Sequence, residues 1–287
     1  MLIILIHFWF DSFAWKSQFS GSPRESAKRV ARKFSLKISI ITVCYNSATT
    51  LEGAIKSVLA QNYIDIEHIV IDGGSTDGTA CILKKYAGRV AKIVSEPDEG
   101  IYDAMNKGIN LATGDAIGVL NSDDFYASND VIENLVKSFS SDADMVIGDV
   151  VFVDRVNVQK RLRYVSGLTF SPWLLRFGWM PPHPATFIRK NIYDTFGHYK
   201  SDFAIAADYD FCVRTLMSGS LRTVRTSTVL VTMRDGGAST GGFKSTVVIS
   251  REILRALREN RIYSNPLFVW SRLPLKFFRQ KLFARRS

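Results

Sequence analysis

The sequence predicts an α/β fold in which a mostly parallel sheet is flanked by helices. Between residues 37 and 125, short β-branched segments alternate with segments of helical periodicity, an order typical of parallel sheets. Each β-branched segment ends in polar residues, at the position where open α/β sheets bind ligands. The composition, 46% hydrophobic and 22% charged, is that of a globular chain rather than a disordered one.

The first strand and helix follow from local patterns. The segment "KISIITVCYN" (37–46) is rich in β-branched residues and ends in Tyr45 and Asn46, which predicts a strand. In "ATTLEGAIKSVLAQ" (48–61), four aliphatic side chains fall on one helical face. The two segments together predict a strand that leads into an amphipathic helix.

The same order repeats along the next 60 or so residues. Strand and helix patterns alternate in segments that are, in chain order, 66–71, 78–88, 89–100, 100–115 and 116–120. The strands among them end in Asp72, in the acidic loop 96–98 and in "NSDD" (121–124). Because the carboxyl ends of parallel strands meet at one edge of a sheet, these polar residues are expected to converge.

The net charge of +10 is unevenly distributed. Residues 1–35 and 251–287 are basic, whereas residues 36–250 are nearly neutral. An enzyme that acts on nucleic acid more often lines its working groove with basic residues, so nucleic-acid binding is not expected. The apolar start "MLIILIHFWF" is too short for a spanning helix, which needs about 20 residues. Residues 1–35 are therefore interpreted as an extension and linker, and an interfacial anchor is the open alternative for their apolar start.

The cysteines indicate neither a disulfide framework nor a metal site. They are three, odd in number and far apart: Cys44, Cys81 and Cys212. This pattern fits a protein of the reducing cytoplasm.

The segment "DGGSTDGT" (72–79) invites two phosphate-binding interpretations, and both fail. A P-loop requires Lys after its last glycine, but Thr79 follows Gly78. The glycine spacing also differs from a dinucleotide fingerprint, and the segment follows the second strand rather than the first. A carboxylate at Asp72 remains suited to accept a hydrogen bond from a base or ribose, while Asp77 or Thr76 suits a helix N-cap.

Four motifs together carry a resemblance to a known family. "ITVCYN", "IVIDGGSTDGT", "DAMNKGINLATGD" and "VLNSDDF", in this order and spacing, resemble the nucleotide-sugar-binding half of family 2 inverting glycosyltransferases with the GT-A fold. The likeness covers residues 36–237, and it is greatest to bacterial enzymes that build capsular, O-antigen or colanic-acid-like polysaccharides. It implies a Rossmann-like GT-A sheet.

The resemblance also implies which residues bind the donor. It implies substrate contacts from Thr42, Tyr45, Asn46, Asp72, Asp103, Asn106, Lys107 and Asn121. It places "NSDD" at the DxD position, where a carboxylate binds a divalent metal on the donor diphosphate, although Asn121 replaces the first Asp. Asp123 is then assigned to ribose or metal and Asp124 to the metal. Mg²⁺ and Mn²⁺ take few carboxylates plus phosphate oxygens, so a sparse site suffices.

Transfer with inversion needs a base that takes the proton of the acceptor hydroxyl. The candidate segment is "DFAIAADYDFCVRTLMSG" (202–219), where the family carries an Asp commonly preceded by Glu. Here Ala207 precedes Asp208, so Asp208 alone matches. Asp210 is the second candidate, and a helix N-cap is the structural alternative for Asp208.

Three further features belong to the acceptor half. His183, held between prolines in "WMPPHPATFIRK" (179–190), is a candidate ligand of diphosphate or acceptor, with a structural role as the alternative. Arg234 is a candidate for phosphate binding. The glycine-rich stretch 236–242 predicts a flexible lid.

The predicted organisation is an extension (1–35), a glycosyltransferase domain (36–240) and a basic tail (241–287). Within the domain, 36–127 is the nucleotide-sugar half and 128–240 the acceptor half. The predicted function is transfer of a sugar from a nucleotide sugar to a glycan or lipid-linked acceptor in cell-surface polysaccharide synthesis. A nucleotidyltransferase and a non-catalytic nucleotide-sugar-binding assembly protein are the alternatives. The first would require a glycine-rich loop with a basic residue after the first strand, where the chain has "CYNSATTLEG".

The tail interleaves aromatic and aliphatic residues with arginine and lysine. From Leu275 onward this pattern predicts a basic amphipathic helix at an anionic membrane surface. Packing of the same helix on the domain is the alternative. The predicted location is cytoplasmic, peripheral at the inner face of the membrane.

Overall fold

The computed structural model of the protein describes residues 36–139, 142–237 and 242–274. The chain separates into two units between Ser35 and Leu36. The predicted N-terminal extension and the tail helix from Leu275 lie outside the described residues, as do residues 238–241 of the predicted lid.

The first half alternates strands and helices as expected. In chain order it contains β1 (Ile38–Cys44), α1 (Leu51–Leu59), β2 (Ile66–Asp72), α2 (Thr79–Tyr86), β3 (Lys92–Ser95), α3 (Ile101–Leu111) and β4 (Ala116–Asn121). β1 is buried over its whole length and β4 over all but its last residue, as is usual for parallel strands covered on both faces. The third strand starts later than its pattern predicts, because Arg89 and Val90 close the turn after α2 by donating to Tyr86 O.

The second half is more irregular. It contains β5 (Phe125–Tyr126), α4 (Val131–Ser138), β6 (Met145–Val153), β7 (Arg161–Val165), β8 (Thr186–Arg189), α5 (Lys190–Phe196), α6 (Ala207–Leu216), β9 (Thr223–Arg234) and α7 (Phe243–Glu259). Two 3₁₀ helices, Pro172–Phe177 and His183–Ala185, lie between β7 and β8. Residues 266–274 are again helical.

One sheet contains all the described strands, in the order β3-β2-β1-β4-β8-β6-β9-β5, with β7 paired to β6. β1 to β4 are mutually parallel where they pair. β8 is antiparallel to both β4 and β6. The predicted α/β fold with a mostly parallel, helix-flanked sheet is confirmed, and the antiparallel β8 joins its two halves.

Helix α3 lies close against the sheet. Gly108 makes this approach possible, since a Cβ atom at this position would overlap the side chain of Ile41 in β1. The first turn of α3 is therefore held next to the carboxyl end of the parallel strands. This placement matters for the site, because Tyr102 and Asn106 both project from α3.

Helix α7 packs on the main core. Its residues Ile253, Ala256 and Leu257 belong to the same buried cluster as the residues of α3 and α6. Val269, in the following helical segment, is also fully buried in that cluster. In the part of the chain that the structure describes, no helix is long and apolar enough to cross a membrane.

Candidate functional site

The ends of β1 and β2 form a cradle of hydrogen bonds. Asn46 has a left-handed backbone (φ 48°), and its Oδ1 accepts from Thr76 N at 2.9 Å. Asn46 N donates to Ser75 Oγ at 2.7 Å. Tyr45 stands exposed beside them. The structure thus brings Tyr45 and Asn46 together at the sheet edge, with Tyr45 free to meet a ligand.

Thr42 is not part of this edge. It has no exposed surface, and its Oγ1 is hydrogen-bonded to Nε2 of His68 at 3.0 Å. His68 is itself buried, and burial lowers its pKa to about 3. The side chain of Thr42 therefore links β1 to β2 and is not exposed to a nucleotide-sugar donor.

Asp72 closes β2 with a fully buried side chain. Its Oδ2 accepts from Ser95 Oγ at 2.6 Å and from Ser75 N at 3.2 Å, and its Oδ1 accepts from Ser75 Oγ. These bonds join the ends of β2 and β3. The carboxylate, predicted to accept from the base, is occupied by the protein's own donors.

The three donor-side candidates on α3 also bind other parts of the protein. Lys107 Nζ lies 3.3 Å from Asp103 Oδ2 and 3.0 Å from Glu96 Oε1. Asn106 bridges to Tyr199, donating to its carbonyl at 2.8 Å and accepting from its N–H at 3.1 Å. Asn106 thereby ties the first half of the chain to the second.

The acidic pair after β4 has the most unusual electrostatics in this region. The side chain of Asp124 is almost fully buried. Its Oδ1 accepts from Arg234 N at 3.3 Å and its Oδ2 from Asn121 Nδ2 at 3.3 Å. Burial, and to a lesser extent the charge of Asp123, raises the pKa of Asp124 to about 8. The carboxylate is thus poorly compensated by the protein itself.

A cation would supply the missing compensation. Asn121 Oδ1 is buried and, within the described residues, accepts no hydrogen bond, so it adds an oxygen without a partner beside the carboxylate of Asp124. Oxygen donors of this kind are those that Mg²⁺ and Mn²⁺ prefer. Across residues 36–139, 142–237 and 242–274, no cluster of three or more His, Cys, Asp or Glu could hold a metal alone. The residues present therefore fit an ion that completes its coordination with diphosphate oxygens and water.

Arg234, at the end of β9, covers the same corner. Its guanidinium donates to the backbone oxygen of Asp123 and lies 5.0 Å from the ring centre of Phe125. The positively charged guanidinium of Arg234, held by the backbone of the acidic segment, is well placed to bind a phosphate.

Asp208 lies at the start of α6 and is partly buried. Its Oδ1 accepts from Tyr209 N at 2.8 Å and from Tyr102 Oη at 3.2 Å. Burial raises its pKa, and the neighbouring His183 opposes that shift. Because Tyr102 belongs to the first turn of α3, its hydrogen bond joins Asp208 to the first half of the chain.

His183 accompanies Asp208. Its Nε2 is hydrogen-bonded to Tyr199 Oη at 2.9 Å. Burial lowers the pKa of His183, and the charge of Asp208 opposes this. The structure thus brings His183 and Asp208 into one electrostatic environment.

Asp210, the second candidate base, occupies a different environment. It is fully buried and accepts from Lys200 Nζ at 3.1 Å, Arg214 Nε at 2.8 Å and Asn260 Nδ2 at 3.1 Å. With three donors on its two oxygens and no exposed surface, its carboxylate is enclosed by the protein's own groups. Its contacts are those of a structural ion pair.

Glu252 in α7 is not among the residues predicted from the sequence. Its Oε1 accepts from Ala204 N at 2.6 Å, and its Oε2 accepts from Ile205 N and Ala206 N, each at 2.9 Å. These are the last three residues before α6, so Glu252 caps the helix that carries Asp208. A signal exists in the sequence: Glu252 shares a helical face with Ile249 and Ala256, and a carboxylate there indicates a buried partner.

Comparisons with known proteins match the chain to glycosyltransferases. The sequence model of glycosyl transferase family 2 matches residues 39–208. An uncharacterized glycosyltransferase of Mycobacterium tuberculosis is 36% identical over 189 residues, 66% of this chain and 72% of the relative. A PGL/p-HBAD biosynthesis glycosyltransferase of Mycobacterium bovis is 30% identical over 224 residues, 76% and 83% of the two chains.

Solved structures show the same fold at low identity. S. aureus TarS 1–349 in complex with UDP-GlcNAc has a TM-score of 0.61 at 18% identity, covering 77% of this chain and 66% of that one. A mannosyltransferase from Pyrobaculum calidifontis in complex with GDP-Man and Mn²⁺ has a TM-score of 0.60 at 16% identity, covering 87% and 77%. With the family match spanning more than half of the chain, the protein belongs to glycosyl transferase family 2.

Proposed function

We propose that this protein transfers a sugar from a nucleotide sugar to a hydroxyl group of a glycan or lipid-linked acceptor and inverts the anomeric centre. The observation that carries the proposal is the acidic pair after β4, in which the buried Asp124 has a pKa raised to about 8 in a chain of this family. A buried carboxylate at a strand end that receives only two hydrogen bonds, each of 3.3 Å, suits a site for a metal-bound diphosphate. The neighbours' complexes with UDP-GlcNAc and with GDP-Man support a nucleotide sugar as donor.

The proposed base is Asp208. The hydrogen bonds from Tyr102 and Tyr209 both reach Oδ1, which fixes the carboxylate and directs Oδ2 to the acceptor. Oδ2 takes the hydroxyl proton while the acceptor oxygen attacks the anomeric carbon from the face opposite the diphosphate, which leaves with the bonding electron pair. The raised pKa of Asp208 makes it a stronger base than an exposed carboxylate.

Asp123 and Asp124 would hold a divalent cation, Mg²⁺ or Mn²⁺, which would neutralise the charge that develops on the departing diphosphate. Arg234 adds a second positive charge at the same corner. The Mn²⁺ in the mannosyltransferase complex supports this assignment.

The class of acceptor is inferred from the relatives. One takes part in PGL/p-HBAD biosynthesis, and a chondroitin synthase of Pasteurella multocida is 36% identical over 107 residues, 11% of its length. These names support a glycolipid or glycan acceptor at the cell surface. A peripheral position at the inner membrane face, with the basic tail 275–287 on anionic lipid, would bring the enzyme to a lipid-linked acceptor.

A screen of nucleotide sugars tests the proposal. The melting temperature of the protein is measured with each donor, with and without Mn²⁺, for the wild type and for the variants Asp124→Ala and Glu133→Ala. We expect one donor to stabilise the wild type and Glu133→Ala only when Mn²⁺ is present, and Asp124→Ala to lose this response. Glu133 is a suitable control because it is an exposed acid paired with Lys137.

The same donor is then supplied with candidate acceptors, and release of the nucleoside diphosphate is measured. Stabilisation by a donor without turnover on any acceptor would support the non-catalytic alternative. Metal-independent stabilisation that Asp124→Ala retains would contradict the metal assignment.

A further inference from the structure

An aromatic surface lies on the protein near the end of the described chain. Trp173 meets Phe177 edge-on at 5.5 Å between ring centres, and Phe177 stacks on Phe268 at 4.9 Å. The rings of Tyr263 and Phe268 lie nearly perpendicular to each other, with their centres 6.3 Å apart. We call this surface, made by Pro172–Phe177 and residues 260–274, the aromatic face.

The aromatic face exposes large apolar side chains. Their exposed fractions are Trp173 58%, Tyr263 69%, Leu267 78%, Trp270 56% and Leu273 38%. A cleft of about 510 Å³ opens among its rings, with Leu216 and Met217 at its base. Contiguous apolar surface of this kind usually marks an interaction site.

The aromatic face is firmly attached to the body of the protein. Val269 is fully buried in the main core, Ser264 Oγ donates to Arg176 O at 2.6 Å, and Arg272 donates to Gly178 O at 3.1 Å. These contacts fix one side of residues 264–272 to the body of the protein, so Leu267 and Trp270, on the other side, face outward.

The charges around the aromatic face are of one sign. Residues 168–180 and 260–274 contain no Asp or Glu. Arg176 and Arg261 are their exposed charged residues, whereas Arg272 is directed inward and donates to Gly178 O and Ser250 Oγ. Two copies of the protein that met through this face would place arginine against arginine. An anionic surface complements it, and the combination of Trp, Tyr and Arg around aliphatic side chains is typical of the bilayer interface.

We propose that the aromatic face inserts into the headgroup region of an anionic lipid bilayer. Leu267 and Trp270 enter the apolar boundary, Trp173 and Tyr263 lie at the level of the headgroups, and Arg176 and Arg261 contact lipid phosphates. This inference rests on the proposed peripheral location and deepens it, because it assigns membrane contact to the aromatic face in addition to residues 275–287.

Vesicle binding of the full chain tests the inference. Co-sedimentation is measured with vesicles of phosphatidylglycerol and phosphatidylcholine and with phosphatidylcholine alone, for the wild type and the double variant Leu267→Ser/Trp270→Ser. We expect the double variant to bind the anionic vesicles at least tenfold more weakly and the wild type to bind the neutral ones weakly. The control is Ile64→Ser, since Ile64 is 96% exposed and lies outside the aromatic face; this variant should bind as the wild type does.

Two further measurements separate the possible outcomes. Lipids brominated near the headgroup should quench tryptophan fluorescence in the wild type and much less in Trp173→Phe/Trp270→Phe. If only Arg285→Ser/Arg286→Ser loses binding, the tail alone is the anchor and the inference is wrong. If the intact protein ignores anionic vesicles, or forms dimers that Leu267→Ser/Trp270→Ser separates, the inference is also wrong. The stabilisation of the protein by nucleotide sugar and Mn²⁺ is measured without vesicles, so a failure of membrane binding leaves the test of the proposed sugar transfer unaffected.

Discussion

Glu252 offers a sharp test of how the C-terminal helix supports the reacting groups. Its carboxylate receives three backbone N–H groups, from Ala204, Ile205 and Ala206, at 2.6, 2.9 and 2.9 Å. Asp208 follows two residues after Ala206. Glu252→Gln keeps the size of the side chain but removes the charge and turns an N–H donor toward other N–H donors.

The expected magnitude follows from these bonds. A hydrogen bond to a charged group contributes about 1.5–3 kcal/mol, and Gln retains one acceptor oxygen. We therefore expect the free energy of unfolding to fall by roughly 2–3 kcal/mol, because contributions within one network do not add fully. A shift of about 1 Å in a reacting group lowers a rate on the order of 10²-fold, so kcat should fall about 10- to 100-fold.

The assay measures nucleoside diphosphate release at saturating acceptor, together with donor binding by calorimetry. We expect Glu252→Gln to lower kcat and leave donor affinity unchanged, because the proposed donor contacts lie at the ends of β1 to β4. Glu252→Asp should restore part of the rate. Glu259→Gln on the same helix is the control, since Glu259 pairs with Lys200 and Arg255 rather than with the backbone before α6. A normal kcat for Glu252→Gln, or equal losses of kcat and donor affinity, would refute the positioning role.

Three other predictions concern separate parts of the structure. Asp210→Asn leaves Lys200 and Arg214 without their buried partner, so the free energy of unfolding should fall by about 3–5 kcal/mol with kcat per folded molecule retained; a large loss of kcat with normal stability would contradict this. Burial lowers the pKa of His68 from 6.5 to about 3, so from pH 6.5 downward the unfolded chain gains a proton that the folded chain does not. Below pH 6.5, His68 therefore lowers the free energy of unfolding by about 1.4 kcal/mol for each pH unit. His68→Gln should remove this pH dependence from the free energies measured by urea unfolding, and an identical pH dependence in the two proteins would contradict the prediction. Arg234→Met should raise the donor KM roughly tenfold by loss of a charged contact, and an unchanged KM would exclude a phosphate contact.

The sequence predicts the nucleotide-sugar half well because its signals are local. β-branched runs bounded by polar residues define β1 to β4, and helical periodicity defines the elements between them. The convergence of Asn46, Asp72 and Asp124 at one edge then follows from parallel pairing alone.

The remaining features depend on contacts between distant residues. Thr42 lies inside a predicted strand end, and only the pairing of β1 with β2 shows that it meets His68. Asp72 meets Ser95 from the adjacent strand, which leaves its carboxylate without a free position. β8 lies antiparallel between β4 and β6, and Glu252 accepts hydrogen bonds from residues 204–206. Both are tertiary contacts that local patterns cannot reveal.

The most direct test of the proposed mechanism compares Asp208→Asn with Asp210→Asn in one steady-state assay of sugar transfer. Asn keeps the shape of the side chain and its hydrogen bonds at Oδ1 but cannot take the acceptor's proton. We predict that Asp208→Asn binds the donor as the wild type does while its turnover falls about 10²- to 10⁴-fold, and that Asp210→Asn, measured per folded molecule, keeps its turnover. Near-normal turnover of a folded Asp208→Asn variant would contradict the assignment of Asp208 as the base.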